Sequence, residues 1–130
     1  MSKSIFTELD YEILESLINF IKENKDEPKT ITYKELVKRV NDSALIPVNM
    51  GSHLGTIGEA INFTGHLIHP VHPPIPNSLV VNGGTGVAGD GYEPLMKSIG
   101  KVTPDMQAIY DYGKWDLVLE LAKDRIGKSV

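Results

Sequence analysis

Apolar residues recur at helical spacing over the first part of the chain. Leu9, Ile13, Leu14, Leu17, Phe20 and Ile21 form one stripe, and Glu8, Glu12, Glu15, Lys22 and Glu23 occupy the opposite side, the pattern of an amphipathic helix. Thr7 is placed to cap this helix, and Phe6 and Tyr11 to staple its start. It is expected to fray near Asn24, before the polar loop KENKDEPK. The stretch ITYKEL then carries a complete capping box: Thr32 caps, Glu35 answers three residues on, and Ile31 reaches forward to Leu36. Leu36, Val37 and Val40 are the inward positions of this second helix, which Asn41 can close in a left-handed conformation.

Residues 42–51 read as a connection, with Pro47 and Gly51 as breakers. A third helix is expected from about Ser52, with Leu54, Ile57 and Ile61 on its apolar side and Gly65 as its stop. Gly55 and Gly58 lie inside it, each costing about 1 kcal/mol relative to alanine, which points to close approach by a neighbouring element. HLIHPVHPPIPN has too many prolines for regular helix and reads as an extended crossing. It delivers the chain to a strand at 78–82, which meets five glycines between 83 and 91. A hairpin or wing turning at Asn82-Gly83-Gly84 is the expected outcome. A fourth helix is predicted over 93–99, with Pro94 at its first position and Gly100 after it. Thr103-Pro104-Asp105 starts a fifth, Gly113 breaks it, and Trp115, Val118, Leu119 and Ala122 carry the apolar face to the C-terminus.

These elements add up to an α+β chain, mostly helical: a winged-helix-like segment at 30–92 with a small β-hairpin, flanked by an N-terminal helix within 1–29 and C-terminal helices within 93–130. With 130 residues the chain is expected to form one domain with a core of its own. It contains no cysteine, which removes disulfides, thiol nucleophiles and zinc fingers and fits a reducing, cytoplasmic setting. No long apolar stretch marks a secretion signal or a membrane span, so no membrane partner is expected.

Charge changes the picture more than composition does. Residues 1–42 hold seven basic and nine acidic side chains, residues 90–130 hold six and seven, and residues 43–89 hold Glu59 alone. That central segment also contains all four histidines. It is therefore either buried or a face that binds by shape and hydrogen bonding. The polar and glycine positions available to such a face are His53, Thr56, Asn62, His66, His69, His72, Asn77, Asn82, Gly84, Thr85 and Gly86.

Several chemistries are written weakly into this segment. Gly84 to Gly89 matches G-x-G-x-x-G, but no second strand completes the βαβ unit that a dinucleotide site requires. His66, His69 and His72, with His53 upstream, could close a metal site, yet no acidic residue lies close in sequence to orient them. A hydrolytic triad would need a strained nucleophile elbow, and none is visible. No catalytic residue, metal or cofactor is assigned. Tyr112 and Trp115 could form a stacking platform, but the commoner role of such a tryptophan is to anchor its helix on the core.

Over residues 30–92 the order of features resembles the winged-helix domain of the DNA alkyltransferase and alkyltransferase-like family. Thr32-Tyr33-Lys34-Glu35-Leu36 is similar to that family's TYGEL-type helix, and Ile57 to Asn62 to its recognition helix. Ile75-Pro76-Asn77-Ser78-Leu79-Val80 sits where the family has IPCHRV, and Gly84 to Tyr92 resembles its glycine-tyrosine wing. The resemblance implies a winged-helix scaffold. It does not imply alkyl transfer, because Asn77 stands at the acceptor cysteine and the chain has no thiol. Gly55 stands where the recognition helix would carry its inserted arginine, and no lysine or arginine occurs between Arg39 and Lys97.

Three functions follow as expectations. The first is a non-catalytic binding module, an inhibitor, immunity or counter-defence type of regulator, which meets a protein partner or small ligand through 43–89 and forms a homo-oligomer or a stable complex. The second is a winged-helix DNA-binding protein using Tyr33, Lys34, Lys38 and Arg39. The third is a small histidine- or metal-dependent enzyme. The missing cations favour the first, since phosphate neutralisation supplies most nonspecific DNA affinity.

Overall fold

A computed structural model of the chain describes residues 5–40, 42, 45, 47–65, 73–83, 92–100 and 105–129, apart from the side chains of residues 47, 48, 98 and 99. The order of elements is α1 (Glu8–Glu23), β1 (Ile31–Thr32), α2 (Tyr33–Val40), α3 (Pro47–Gly65), a 3-10 turn (Pro76–Leu79), β2 (Val80–Val81), α4 (Tyr92–Ile99), α5 (Met106–Asp111) and α6 (Trp115–Lys123). The chain is thus mostly helical with one small sheet.

Local signals account for most of the boundaries. Thr7 caps α1 in a reciprocal capping box with Asp10, and Asn24 closes the helix, its side chain donating to the Phe20 carbonyl at 2.8 Å. Glu35 N–H donates to Thr32 Oγ1 at 3.1 Å while Glu35 Oε1 accepts from Thr32 N–H at 3.2 Å, completing the second box as expected. Gly100 follows α4 with φ 69°, the left-handed stop that a glycine adopts without penalty. Asn41, proposed to close α2, lies outside the described residues.

Three expectations are corrected. First, α3 begins at Pro47, well before Ser52, and Gly51 lies within it. A proline needs no N–H at the first helical position and its fixed φ suits a helix start, so Pro47 opens the helix rather than breaking it. Secondly, α4 begins at Tyr92, which places Pro94 third; the first four N–H groups lack intrahelical partners, so this also costs nothing. Asp105 likewise precedes α5 as its cap residue, without a side-chain cap bond, instead of lying in its first turn.

The third correction concerns the hairpin. β2 pairs with β1, and the pairing is parallel: Ile31 faces Val80 and Thr32 faces Val81. Residues 76–79 form the 3-10 turn, which takes up Ser78 and Leu79 of the expected strand. A parallel pair requires a long crossover, and α2 and α3 supply it. Among the described residues no hairpin is present. The β1–β2 pair clips the entry of α2 to the exit of the proline-rich crossing.

α3 is the central element and packs against α1, α2, α4 and α6. Its Met50, Leu54, Ile57, Ala60 and Ile61 join Ile13, Leu14, Leu17, Ile18 and Ile21 of α1 in one buried core. Val118 and Ala122 of α6 and Ile75, Leu79 and Val80 of the crossing and β2 complete it. Trp115 is 3% exposed and its Nε1 donates to the Ile109 carbonyl at 2.9 Å, so it anchors α6 and offers no stacking platform. The ends of the described chain are tied together: Phe6 N–H donates to Lys128 O at 3.0 Å, Gly127 N–H to Phe6 O at 2.7 Å, and Ile5 bridges Ser129.

Candidate functional site

The charge-poor centre of the sequence is, in its described part, largely interior. The side chains between 50 and 64 that face the helices around α3 are uncharged and mostly apolar because they are the core, and the same holds for 75–81, with Thr56, Thr64 and Asn77 as the buried polar members. Burial therefore explains the absence of charge over most of that described part. What remains at the surface of α3 is a narrow stripe: Gly51 and Ser52 exposed, Gly55, Glu59 and Asn62 partly so, and Phe63 45% exposed. This stripe contains no basic side chain.

The three glycines of α3 differ in what surrounds them. A Cβ at Gly58 would stand 2.5 Å from Leu95 Cδ2 and 3.2 Å from Asn77 Nδ2. α4 and the 3-10 turn therefore pack closely on that glycine, and a Cβ there would displace the Leu95 side chain. A Cβ at Gly51 or Gly55 would meet nothing within 4 Å among the described residues. Among the described residues, nothing packs on these two to set against their helix cost. At the C-terminal end of the stripe, the Arg125 guanidinium lies 4.2 Å from the Phe63 ring centroid, a cation–π contact that leaves much of the ring in solvent.

Of the candidate binding residues, His53 is the most informative. Its Nδ1 lies 2.7 Å from Asp10 Oδ1. Asp10 is 2% exposed, and its Oδ2 accepts from Thr7 N–H and Thr7 Oγ1, both at 2.8 Å. The cap of α1 is thereby bonded to α3, with His53 still 23% exposed along its side chain. Sequence proximity could not reveal this carboxylate, although Thr7-x-x-Asp10 is a readable capping signal. Among the described residues no hydroxyl side chain is hydrogen-bonded to His53, and no group of three or more His, Cys, Asp or Glu is arranged to hold a metal. The pair orients an imidazole but does not assemble a nucleophile.

Thr56 and Asn77 are corrected from surface positions to interior ones. Thr56 is buried and its hydroxyl donates to Ser52 O at 3.4 Å. Asn77 is 3% exposed and its Nδ2 donates to Leu54 O at 2.7 Å. That bond ties the 3-10 turn to α3, and the amide serves as a strut between two elements. Asn77 Oδ1 is buried without a partner among the described residues. Asn62 and Asn82 are half-buried. His66, His69, His72, Gly84, Thr85 and Gly86 lie outside the described residues.

Of the cations proposed for DNA, two are exposed and one is paired. Lys34 and Lys38 are exposed on α2, but Arg39 donates to Glu23 at 2.6 Å and lies 5.5 Å from the Phe20 ring. Tyr33 is packed against the core. Lys22, on α1, is paired with Asp116 of α6. A shallow cleft of about 100 Å³ beside that pair is lined by Ile21, Lys25, Tyr110, Tyr112 and Trp115. Burial raises the Tyr110 and Tyr112 hydroxyls above the ordinary phenol range, so both stay neutral there. Among the described residues no helix is long and apolar enough to cross a membrane.

No family model, curated protein or solved structure matches the chain.

Proposed function

We propose that this protein is a non-catalytic binding module that recognises a protein partner through the exposed stripe of α3. The observation that carries this reading is the contrast among the α3 glycines. Gly58 is packed closely against Leu95 and Asn77, whereas a Cβ at Gly51 or Gly55 would meet nothing within 4 Å among the described residues. Each costs the free helix about 1 kcal/mol, a penalty that close approach by another backbone would offset. Phe63 adds an exposed aromatic ring at the end of the same stripe, of the kind that anchors protein interfaces. The scaffold beneath this face is read as winged-helix-like from the order strand, helix, helix, strand, with a parallel β1–β2 pair in place of a hairpin among the described residues.

The proposed partner is a protein, either a second copy of this chain or another species, rather than a nucleic acid. Nonspecific affinity for DNA scales with the phosphates neutralised, and α3 itself supplies no cation to the stripe, which has Arg125 alone at its end, engaged on the Phe63 ring. The test is native mass spectrometry of the protein purified from the cells that make it, compared with Gly55→Leu. The wild type is expected as an oligomer or stable protein complex. The variant is expected to melt at a higher temperature, because leucine is the better helix former, and to lose the complex. A monomeric wild type that binds duplex DNA with steep salt dependence would replace this reading with the nucleic-acid one.

A further inference from the structure

We infer that Asn82 is a site of spontaneous deamidation, a covalent change that turns the residue after β2 from a neutral amide into a carboxylate. The inference is independent of the partner proposed above. Asparagine is among the thermolabile residues, and its usual route to decay is attack by the backbone nitrogen of the following residue on its own side-chain carbonyl. That attack needs a carboxamide that is not held, a following nitrogen outside helical hydrogen bonding, and little steric bulk at the following residue.

Among the described asparagines only Asn82 meets all three conditions. Asn19, Asn49 and Asn62 lie within α1 and α3, where the next N–H belongs to the helical ladder. Asn24 is held through its amide by Phe20 O, and Asn77 by Leu54 O. Asn82 immediately follows the last residue of the β1–β2 ladder, is half-buried, and precedes an exposed glycine. Gly83 has no Cβ to obstruct the closing ring and restricts φ least of all residues.

The step balances without any added reagent except water. The deprotonated Gly83 nitrogen attacks Asn82 Cγ, a new C–N bond forms, and the Cγ–Nδ2 bond breaks. The amide nitrogen leaves as ammonia, having taken up a proton from solvent. Water then opens the cyclic imide at either carbonyl, giving aspartate or an isoaspartate whose main chain is one methylene longer. The aspartate product is compatible with the fold. Gly83 lies beside Thr32, since a Cβ there would stand 3.9 Å from Thr32 Cγ2, and Thr32 caps α2, where negative charge is favoured by the helix dipole. The isoaspartate product changes the path of the chain into the glycine-rich segment.

The experiment is timed incubation of the whole protein in mildly alkaline buffer at physiological temperature, followed by peptide mass spectrometry and isoaspartate detection. Asn82 is expected to convert ahead of every other asparagine, giving both products. Gly83→Ala is expected to slow this conversion by roughly an order of magnitude, through the added Cβ, and Asn82→Gln to remove it. In concentrated urea Asn77 should begin to convert as its bond to Leu54 is lost. Persistence of Asn82 in the folded protein while another asparagine converts, conversion only in urea, or an unchanged rate in Gly83→Ala would each overturn the assignment.

Discussion

The two capping boxes of this protein are alike in sequence and unlike in consequence. Thr7–Asp10 and Thr32–Glu35 each satisfy orphan N–H groups at a helix start by the same reciprocal bonds. The second stays local: Glu35 is exposed, and its carboxyl is held below its ordinary range chiefly by the Thr32 side chain and then by the Thr32 backbone. The first is buried, and its carboxylate also bonds His53 on α3. The same four-residue signal thus makes a cap in one place and a cap plus a tertiary joint in the other. What distinguishes them is the packing above the helix start.

Breaking that joint should have the largest effect. Asp10→Ala removes the acceptor for Thr7 and His53 together, losing a cap worth about 1 kcal/mol and a hydrogen bond to a charged group worth about 1.5–3 kcal/mol; urea denaturation should show the midpoint falling accordingly. His53→Ala should cost less, because Thr7 still satisfies one oxygen of Asp10. Next comes Gly58→Ala. The new Cβ collides with Leu95 and crowds Asn77, an overpacking cost of about 1–3 kcal/mol, partly offset by the better helix former. Gly55→Ala, with open space around it, should instead stabilise by about 1 kcal/mol; opposite signs at two glycines three residues apart are readable by thermal unfolding.

At the exposed box, Thr32→Ala should cost about 1 kcal/mol, well short of Asp10→Ala. If the two costs prove equal, the contrast drawn between the boxes is wrong. The smallest effect is in pH. Glu35 has a folded pKa below its ordinary 4.5, so its contribution is present above that value and lost as pH falls through the folded pKa. Because the group is exposed, solvent screening keeps this contribution small. Glu35→Gln should flatten the acid limb of a stability–pH curve slightly. At the other extreme Tyr110, raised above 10.0 by burial, donates to Lys29 O at 2.7 Å. Its contribution holds below pH 10.0 and is lost as pH rises through the folded pKa, so Tyr110→Phe should weaken the alkaline loss while lowering neutral stability by about 1 kcal/mol.

Much of the helical framework was legible. The α1 stripe, both caps, Gly100 as a stop, and the role of Trp115 each rest on interactions within a few residues or on bulk burial. The site was less legible. Asp10 and His53 are separated by α2 and two connections, and Asn77 looked like a surface amide until Leu54 was found to accept from it. Arg125 gave no sign in sequence that it would cover Phe63. Pairing direction was also hidden: residues 79–81 and the glycines after them fit a hairpin strand as well as they fit a parallel one, since the alternation of side chains is the same in both.

By itself the sequence determined that these helices form, how α1 and α2 are capped and which apolar residues seek the interior, because caps, turns and apolar periodicity act over one or two turns of chain. Only the tertiary structure decided that the described part of the uncharged centre is mostly core, that β2 joins β1, and that a cap carboxylate meets a histidine from another helix. Those outcomes depend on which surfaces pack together once the chain has folded back on itself, and no local pattern encodes that choice.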